Sequence, residues 1–399
     1  MGDASAWAAL LRTERTRRGW SQRDLARELS ALADRPLPKL ESVIRRIRDH
    51  EGGKHQPDDE YTELYCRVYG LSEHILFSNA GEPESDDEIA AMELARRAAA
   101  SDVGGETLQR LELAADDLAS AYPSTPPAQL LGRVRRHLEY VTRLMDGRKT
   151  IAEHRRLLVV GGWLSLLGAT CHIDLRQHVL AAARLRTAAD LARHAEHAEL
   201  AAWCVETRAW QALILGGYRE ALTLSQGAQA LAPRDSSAFI QATAQEGRAW
   251  ARLGDGAATR ATLTRVHRLV SPLPVPERPE HHYQYDPAKS EAYTATTLSW
   301  VGDPAAVGYA RQVVARLESP GEGLPRPRRA ALARLDLALA LLATDQPEEA
   351  AHITMAAVGS GEIVPSSWWR VAELVAAVER RGLPEAVELG EVFRAEIED

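Results

Sequence analysis

The residues best suited to recognising another molecule form a basic stripe on one predicted helix, which runs over about residues 40–51. Arg45, Arg46 and Arg48 occupy the side of this helix opposite its apolar residues. A guanidinium group can donate two parallel hydrogen bonds to O6 and N7 of guanine in the major groove of DNA. Ser42 lies on the same side and could meet a base edge or a phosphate. The pattern therefore indicates a surface able to contact double-stranded DNA.

Four further polar side chains flank this helix where they could contact phosphate groups. Gln22 and Arg23 begin the preceding predicted helix, and both side chains and backbone N–H groups at a helix start can bind phosphate. Lys54 and His55 follow the end of the basic helix. We expect these four residues to position the protein on the DNA backbone, while the arginines of the stripe contact bases.

Charge is distributed unevenly along the chain. Residues 1–57 hold 12 Lys and Arg against 8 Asp and Glu, a net charge of +4. The whole chain carries −8, so residues 58–399 carry −12. A basic head on an acidic body is typical of a protein whose head alone contacts a polyanion. The alternative is that the arginines only solvate the surface of an ordinary helix.

A second group of candidate residues lies in the C-terminal half and could bind a ligand or a partner. The segment PERPEHHYQYDP at residues 276–287 is rich in proline and interrupts a helical pattern, and long loops of this kind are often functional. Tryptophans of the surrounding helices could line a pocket for an aromatic or amphipathic ligand. Core packing of the tryptophans and an ordinary inserted loop are the alternatives. The candidates are Trp210, Trp250, His281, His282 and Tyr283.

The sequence does not predict an enzyme, a metal site or a cofactor. His194 and His197, with Glu196 and Glu199 beside them, would supply half of a metal site, but no Cys or His set completes four ligands. We find no HExxH helix, no glycine-rich phosphate loop and no GxSxG elbow. We therefore expect no catalytic residues and no bound metal.

Cysteine usage and the first residues predict a cytoplasmic protein. Cys66, Cys171 and Cys204 are odd in number and far apart, which is not a disulfide framework and fits a reducing compartment. The N-terminus has no signal-peptide pattern. Residues 157–173 contain no charged Asp, Glu, Lys or Arg, but this stretch is shorter than the ~20 residues that span a bilayer. We expect it to form a buried core helix.

Capping residues and apolar spacing predict the helices that would position the basic stripe. Ser21, with Asp24 three residues later, matches a helix-capping box. Two prolines within residues 34–39 must break the second helix, and Gly52 and Gly53 must end the third. Apolar side chains of the third helix recur at the spacing of a fully buried face, and these are Leu40, Val43, Ile44 and Ile47.

From about residue 157 the sequence repeats a unit of two helices joined by a small-residue turn. The clearest copy covers residues 201–233, with its turn at Gly217, a small residue at Ala221 and a terminal Pro233. Three similar turns follow, each with an alanine that would let helices pack closely. They are residues 253–258 with Ala258, residues 301–306 with Ala306, and residues 344–350 with Ala350.

The motifs S-Q-x-x-L-A at residues 21–26 and E-x-G-x-x-x-P at residues 51–57 resemble the XRE/Cro-type helix-turn-helix family. The resemblance covers about residues 7–77. It implies a five-helix bundle whose third helix enters the major groove of DNA. This sequence departs from the family in one respect, because six or more residues join helices two and three, where the family usually has three or four.

The G-x-x-x-A pattern and terminal proline of residues 217–233 resemble tetratricopeptide repeats. Head and repeats together resemble actinomycete regulators that join an XRE-type domain to such repeats. More loosely, they resemble the peptide-pheromone receptors of Gram-positive bacteria. Those receptors hold peptide backbones largely with Asn side chains, and Asn79 is the single Asn of this chain. The composition therefore weighs against a peptide receptor.

These patterns together predict an all-α fold, with an N-terminal helix-turn-helix bundle followed by a tetratricopeptide-like α-solenoid. We expect a DNA-binding domain at residues 1–77, a linker with connecting helices at 78–156, and a repeat domain at 157–399. The expected function is a sequence-specific DNA-binding transcriptional regulator that forms a homodimer and has no membrane partner. Its repeats would mediate dimerisation or bind a peptide, protein or small-molecule effector. The alternative is a tetratricopeptide-type protein-interaction scaffold that does not read DNA.

Overall fold

A computed structural model of the chain describes residues 6–77, 87, 89–94, 102–319 and 326–398. All regular secondary structure within these residues is helical, and the predicted all-α class is confirmed. The chain divides into two compact units, Met1–Ala91 and Met92–Asp399. Most of residues 78–90, the first part of the predicted linker region, lie outside the described residues.

The first unit is a bundle of short helices. Ser21 begins the second helix as predicted, because its hydroxyl accepts from the backbone N–H of Asp24 and the Asp24 carboxylate accepts from the backbone N–H of Ser21, at 3.2 and 3.0 Å. Asp58 caps the fourth helix in the same way, through the backbone N–H of Tyr61 at 3.0 Å. The helices described in this unit are α1 (Ala6–Arg17), α2 (Gln22–Leu32), α3 (Leu40–Glu51), α4 (Asp59–Tyr69) and α5 (Glu73–Phe77).

The core of the first unit forms around the apolar face of α3. Val43 and Ile47 are completely buried in one core with Leu25 and Leu29 of α2. Leu40 and Ile44, which we predicted to share this fully buried face, pack against the core but are only half-buried. Tyr61 of α4 belongs to the same core. The connection between α2 and α3 covers residues 33–39 and is longer than the connection typical of the helix-turn-helix family. It carries the two prolines that end α2.

The second unit is an array of consecutive antiparallel helices, each packed on the next. Its described helices are α6 (Gly105–Ala121), α7 (Pro127–Met145), α8 (Ile151–Asp174), α9 (His178–His194), α10 (Ala198–Ile214), α11 (Tyr218–Leu231), α12 (Ser237–Arg252), α13 (Gly256–Val270), α14 (Pro287–Val301), α15 (Ala305–Glu318), α16 (Pro327–Ala343), α17 (Pro347–Val358), α18 (Trp368–Glu379) and α19 (Glu385–Glu398). A short 3₁₀ helix, Pro365–Ser367, precedes α18.

The predicted turns of the repeat recur between the paired helices. A residue with positive φ lies in each turn: Gly216 at 81°, Gly254 at 80°, Gly302 at 72° and Asp345 at 59°. Glycine adopts this conformation without strain, and a short polar side chain such as that of Asp tolerates it. Each turn therefore reverses the chain within a few residues and lets the second helix pack back on the first.

Small residues at the start of the second helix of each pair allow close packing. Ala221, Ala306 and Ala350 are completely buried, as we expected. The expectation for Ala258 is wrong, because Ala258 is only half-buried and the neighbouring Thr259 is completely buried instead. The reason is that Asp255 caps α13, so the helix begins at Gly256 and the inward position falls one residue later.

Helix α8 is long and apolar enough to cross a membrane, and it is the one such helix among the described residues. In the structure it is a central helix of the second unit, with 89% of its most apolar window buried. This agrees with our prediction of a core helix at residues 157–173. At Gly162 the neighbouring helix approaches so closely that an added Cβ would lie 2.5 Å from a methyl carbon of Leu200.

The two ends of the helical array meet at Asp174, at the end of α8. Its buried carboxylate accepts a hydrogen bond from the Tyr122 hydroxyl at 2.7 Å, from Arg328 of α16 at 2.9 Å, and from Ser366 at 2.9 Å. Arg328 also donates to the backbone carbonyl of Tyr122 at 2.8 Å. The last helices of the unit are thereby joined to the first, which encloses the inner face of the array.

The loop between α13 and α14, residues 271–286, folds against this inner face. The backbone N–H of His282 donates to the carbonyl of Ala119 in α6 at 3.1 Å. The backbone N–H of Tyr285 donates to the hydroxyl of Ser237 at 3.0 Å. The loop is therefore an ordered part of the second unit that contacts both early and middle helices.

Candidate functional site

The exposed face of α3 is the first candidate site. Val43 and Ile47 on the opposite face are completely buried, which fixes the direction in which the other side points. Glu41 and Asp49 share the outward side, where three arginines outnumber these two carboxylates. The predicted DNA-contacting side chains on this face are all exposed, and they are Ser42, Arg45, Arg46 and Arg48.

The three arginines of α3 differ in how they are held. The guanidinium of Arg46 lies over the ring of Tyr61, 5.2 Å from its centroid, and 3.7 Å from the carboxylate of Asp58. Arg45 and Arg48 have no hydrogen-bond or ion-pair partner among the residues that the structure describes. Arg46 is thus tied to α4, whereas Arg45 and Arg48 are available to bind another molecule.

A buried ion pair fixes α3 against α1 and α2. Arg15 donates from Nε to Oε1 of Glu51 at 2.6 Å and from Nη2 to Oε2 at 3.0 Å. The hydrogen bond from Arg15 to Glu51 is the largest cause that raises the pKa of Arg15 above its ordinary value. Gln22 donates from Nε2 to Oε2 of the same carboxylate at 2.9 Å. Gln22, which we predicted as a phosphate contact, is half-buried, and one of its amide N–H groups donates to Glu51 instead.

The other predicted phosphate contacts lie at the surface of the first unit. Arg23 is exposed in the first turn of α2, and His55 is exposed after α3. Lys54 is also exposed, with its ammonium 3.3 Å from the carboxylate of Asp49. Arg23, Arg45 and Arg48 are the predicted cations whose side chains have no hydrogen-bond or ion-pair partner among the described residues.

A cavity of about 270 Å³ inside the second unit is the second candidate site. Its walls come mainly from α10, α12, α14, α15, α16 and α18, and from the loop at residues 271–286. The volume is slightly below the ~300–1,000 Å³ typical of pockets for small ligands. Six tyrosine and tryptophan side chains line it, and they are Tyr122, Trp203, Trp210, Tyr285, Tyr293 and Trp369.

The predicted ligand-binding residues divide between this cavity and other places. Trp210 and His282 line the cavity. Burial, with smaller contributions from nearby cations, lowers the pKa of His282 well below its ordinary value, so its imidazole is neutral at pH 7. Trp250 does not line this cavity, and its indole N–H donates to the carboxylate of Glu246 at 3.3 Å.

His281 and Tyr283 line a second cavity of about 280 Å³ on another side of the loop. The Tyr283 ring packs between Trp163 and Trp203, with centroid distances of 5.0 and 5.2 Å. His281 lies 3.3 Å from the carboxylate of Asp116. The loop therefore separates the two cavities, with His282 facing one and its two neighbours facing the other.

Basic side chains outnumber carboxyl groups around the first cavity, in a chain whose net charge is −8. The seven basic residues are Arg248, Lys289, Arg316, Arg326, Arg328, Arg329 and Arg370. The four acidic residues are Asp174, Glu206, Glu280 and Asp336. Because a concave, partly desolvated surface concentrates the field of its charges, this lining favours an anionic ligand.

Glu206 and Lys289, which line the cavity, also have strongly altered proton affinity. Burial raises the pKa of Glu206 to about 7, against a hydrogen bond from Gln241 at 2.9 Å that lowers it. Burial lowers the pKa of Lys289 to about 8. The Lys289 ammonium donates to the backbone carbonyls of His281 and Gln284, so it holds the loop in place.

The arginines and the buried carboxyl group of this cavity were not among the residues predicted from the sequence. One signal could have indicated them, because Gln241, Gln245 and Arg248 recur at i, i+4 and i+7 on α12. That spacing places three polar side chains on one helix face, and all three are buried. Arg370 and Glu206 lie on other helices, and no local pattern connects them with α12.

His194 and His197, considered for a metal site, do not line either cavity. The imidazole of His197 instead caps α10 by accepting from the backbone N–H of Leu200 at 3.1 Å. Among the described residues, no group of three or more His, Cys, Asp and Glu side chains is placed to hold a metal ion.

No protein-family profile matches the sequence, and no curated protein matches it. Among solved structures, one similar chain is Bacillus thuringiensis PlcR in complex with the peptide PapR7 and DNA, at 11% identity and a TM-score of 0.26, covering 67% of this chain and 94% of that chain. Another is a Signal Transduction ATPase with Numerous Domains protein with a tetratricopeptide repeat sensor from Pyrococcus horikoshii, at 12% identity and a TM-score of 0.40. This chain is covered to 95% in that match and spans 61% of the other chain. At these values neither structure assigns a function to this chain.

Proposed function

We propose that this protein is a sequence-specific DNA-binding transcriptional regulator, acting in the cytoplasm without catalysis. The observation that supports this function most directly is the outward face of α3, where Arg45 and Arg48 are exposed and their side chains have no partner among the described residues. On the inward face of the same helix Val43 and Ile47 are completely buried, and the pair between Arg15 and Glu51 fixes the end of the helix. A rigid helix with unpaired arginines has the geometry that the major groove accepts.

The residues of the first unit divide into roles in this proposal. Arg45 and Arg48 contact base edges, where a bidentate guanidinium prefers guanine. Arg23, Lys54 and His55 contact phosphates and set the register on the duplex. The remaining predicted residues support them, with Ser42 at a base edge or phosphate, Arg46 holding α4, and Gln22 holding Glu51.

The helical array of the second unit serves dimerisation or effector binding in this proposal. A homodimer would recognise two half-sites about 10–10.5 base pairs apart, or a multiple of that spacing. An effector would change DNA binding only if it bound the DNA-competent and DNA-incompetent arrangements with different affinity.

Selection from random duplex DNA with the purified full chain tests the proposal. We expect a short enriched motif containing guanine, repeated with two-fold symmetry, and an affinity that falls steeply as salt increases. Recovery of no motif above the starting library, with and without a soluble extract of small molecules, would contradict DNA reading. That result would favour the interaction scaffold.

A further inference from the structure

Three guanidinium groups surround one indole ring beside the first cavity. Arg248 of α12, Arg252 of α12 and Arg370 of α18 lie 4.8, 5.2 and 5.8 Å from the ring centroid of Trp300. The face of an indole attracts cations, which offsets part of the repulsion among the three groups. Burial is the largest cause that lowers the pKa of Arg370, and the positive charge of Arg248 is the next largest.

Only two of these three arginines have a carboxylate partner. Arg252 donates from Nη1 to both oxygens of Glu373, at 2.9 and 3.1 Å, and Arg370 donates to Asp336. Arg248 has no carboxylate within ion-pair distance among the described residues. Glu206 acts on Arg248 from beyond ion-pair distance, and with a pKa of about 7 it is only partly ionised near neutral pH, so one positive charge of the cluster lacks a full counter-charge.

Arg248 is more than nine-tenths buried, yet its hydrogen bonding is incomplete. Nη1 donates to Oε1 of Gln245 at 3.0 Å. Nε has no hydrogen-bond partner within the described part of the chain, and neither does Nε2 of Gln245. A buried charge without a counter-ion is costly, and folded proteins normally pair it or satisfy its hydrogen bonds. Because Arg248 also lines the cavity, an anion bound there would supply the counter-charge that this arginine lacks.

The rest of the cavity is suited to an apolar, flat molecule. Trp203, Trp210 and Tyr293 present aromatic surface to the space that Arg248 borders. The guanidinium of Arg248 lies 5.3 Å from the ring centroid of Tyr293, so the charged and aromatic parts of the site adjoin. A volume of about 270 Å³ admits a compact ligand and excludes an extended peptide of several residues.

We propose that this cavity binds a small organic monocarboxylate, with its carboxylate on Arg248 and its apolar, preferably aromatic, body against Trp203, Trp210 and Tyr293. Arg248 contributes one positive charge without an ion-pair partner among the described residues, which a single carboxylate group neutralises. The planar guanidinium suits a carboxylate, whose two oxygens accept parallel hydrogen bonds. The site lies wholly within the second unit, so its occupancy can be measured without DNA and does not rest on the proposed DNA binding.

Isothermal titration of the full chain with 2-naphthoate, and with uncharged 2-naphthamide as its matched analogue, tests the site. We expect the naphthoate to bind at least about tenfold more tightly than the amide, since the amide cannot neutralise a buried arginine. The variant Arg248→Met should lose at least about tenfold in naphthoate affinity. Arg268→Met removes an exposed arginine of α13 outside the cavity and should bind like the parent protein.

Two results would overturn the proposal: no binding of naphthoate at millimolar concentration, or equal affinity for the acid and the amide. If Arg248→Met does not fold, Arg248→Lys keeps the charge but loses the planar fork, and unchanged affinity of that variant would count against the site. Thermal unfolding of Arg248→Met without ligand separates a structural role of Arg248 from a role in binding.

We expect Arg248→Met to melt no lower than the parent, because the substitution removes a buried charge that has no ion-pair partner. A large decrease in melting temperature would contradict the proposal.

Discussion

At the scale of single residues, Glu51 fixes the orientation of α3. Its carboxylate accepts from Arg15 of α1 and from Gln22 of α2, so one buried side chain joins three helices. The motif around residues 51–57 singled out this position in the sequence. Its partner could not be predicted, because Arg15 lies 36 positions earlier and no periodic pattern relates the two residues.

The substitution Glu51→Gln tests this network. It leaves Arg15 largely buried without a counter-charge, so we expect the free energy of unfolding of the first unit to fall by about 3 kcal/mol. Urea unfolding followed by circular dichroism measures the loss. Glu41→Gln, an exposed substitution on the same helix, should change stability by less than about 0.5 kcal/mol. Equal effects of the two variants would show that the ion pair does not fix α3.

Glu206 predicts a specific dependence of stability on pH. Its pKa in the folded protein is about 7, above the ordinary 4.5, so the folded state holds the proton more tightly than the unfolded state. Stability contributed by the protonated form is therefore present below pH 4.5 and is lost as the pH rises through about 7. Gln241, Tyr293 and Arg248 are the groups that face or influence this carboxyl group.

Glu206→Gln cannot ionise and should not show this loss. We expect the variant to be more stable than the parent by about 3 kcal/mol at pH 8, with the difference vanishing near pH 4.5. Urea unfolding at pH 4.5, 6 and 8 provides the comparison, and Glu139→Gln, an exposed position on α7, is the control. A constant difference between Glu206→Gln and the parent across this range would contradict the assignment.

At the scale of helices, the adjacent glycines of α8 show how tightly the array packs. An added Cβ at Gly162 would lie 2.5 Å from Leu200, whereas one at Gly161 would be in ordinary contact, 3.4 Å from Leu191 and Val141. Gly161→Ala should be neutral or stabilising, because alanine favours the helix by up to about 1 kcal/mol. Gly162→Ala gains the same propensity but must displace a completely buried Leu200.

We therefore expect Gly162→Ala to be less stable than Gly161→Ala by about 1–2 kcal/mol. Thermal unfolding of the two variants, which differ only in the position of one methyl group, measures the difference. If both variants melted at the same temperature, α8 would not approach its neighbours as closely as the structure places it.

Helices with clear caps and complete apolar faces could be predicted from the sequence, and others only in part. The bounds of α3 follow from its four apolar positions and its terminal glycines. The turn at residues 253–258 was found, but the inward residue of α13 was placed at Ala258 instead of Thr259. An N-cap shifts a helix by one residue, and that shift moves every side chain by about 100° around the axis.

At the scale of the whole molecule, local patterns could not predict how the repeats enclose a cavity. Asp174 bonds to Arg328, which lies 154 positions later in the sequence, and to Ser366, which lies 192 positions later. Each partner, taken alone in the sequence, resembles an ordinary polar residue. The loop at residues 271–286 was identified from its composition, but its contacts with α6 depend on the curvature of the array. Closure of the array also brought together the arginines around Trp300.

The central claim is that the outward face of α3 reads DNA. Its most direct test is the affinity of the purified chain for a selected duplex, measured by fluorescence anisotropy over a range of salt concentrations. The double variant Arg45→Ala/Arg48→Ala should bind at least about 30-fold more weakly than the parent, because each base contact contributes about 1–3 kcal/mol. Its melting temperature should be unchanged, since neither arginine has a partner among the described residues.

The matched control, Arg12→Ala/Arg17→Ala, removes the same charge from exposed positions of α1. We expect it to keep the affinity and sequence preference of the parent within a few-fold, apart from a weak effect at low salt. Loss of sequence preference in the α3 variant alone would agree with the account. Equal binding by the α3 variant, the control and the parent would contradict it.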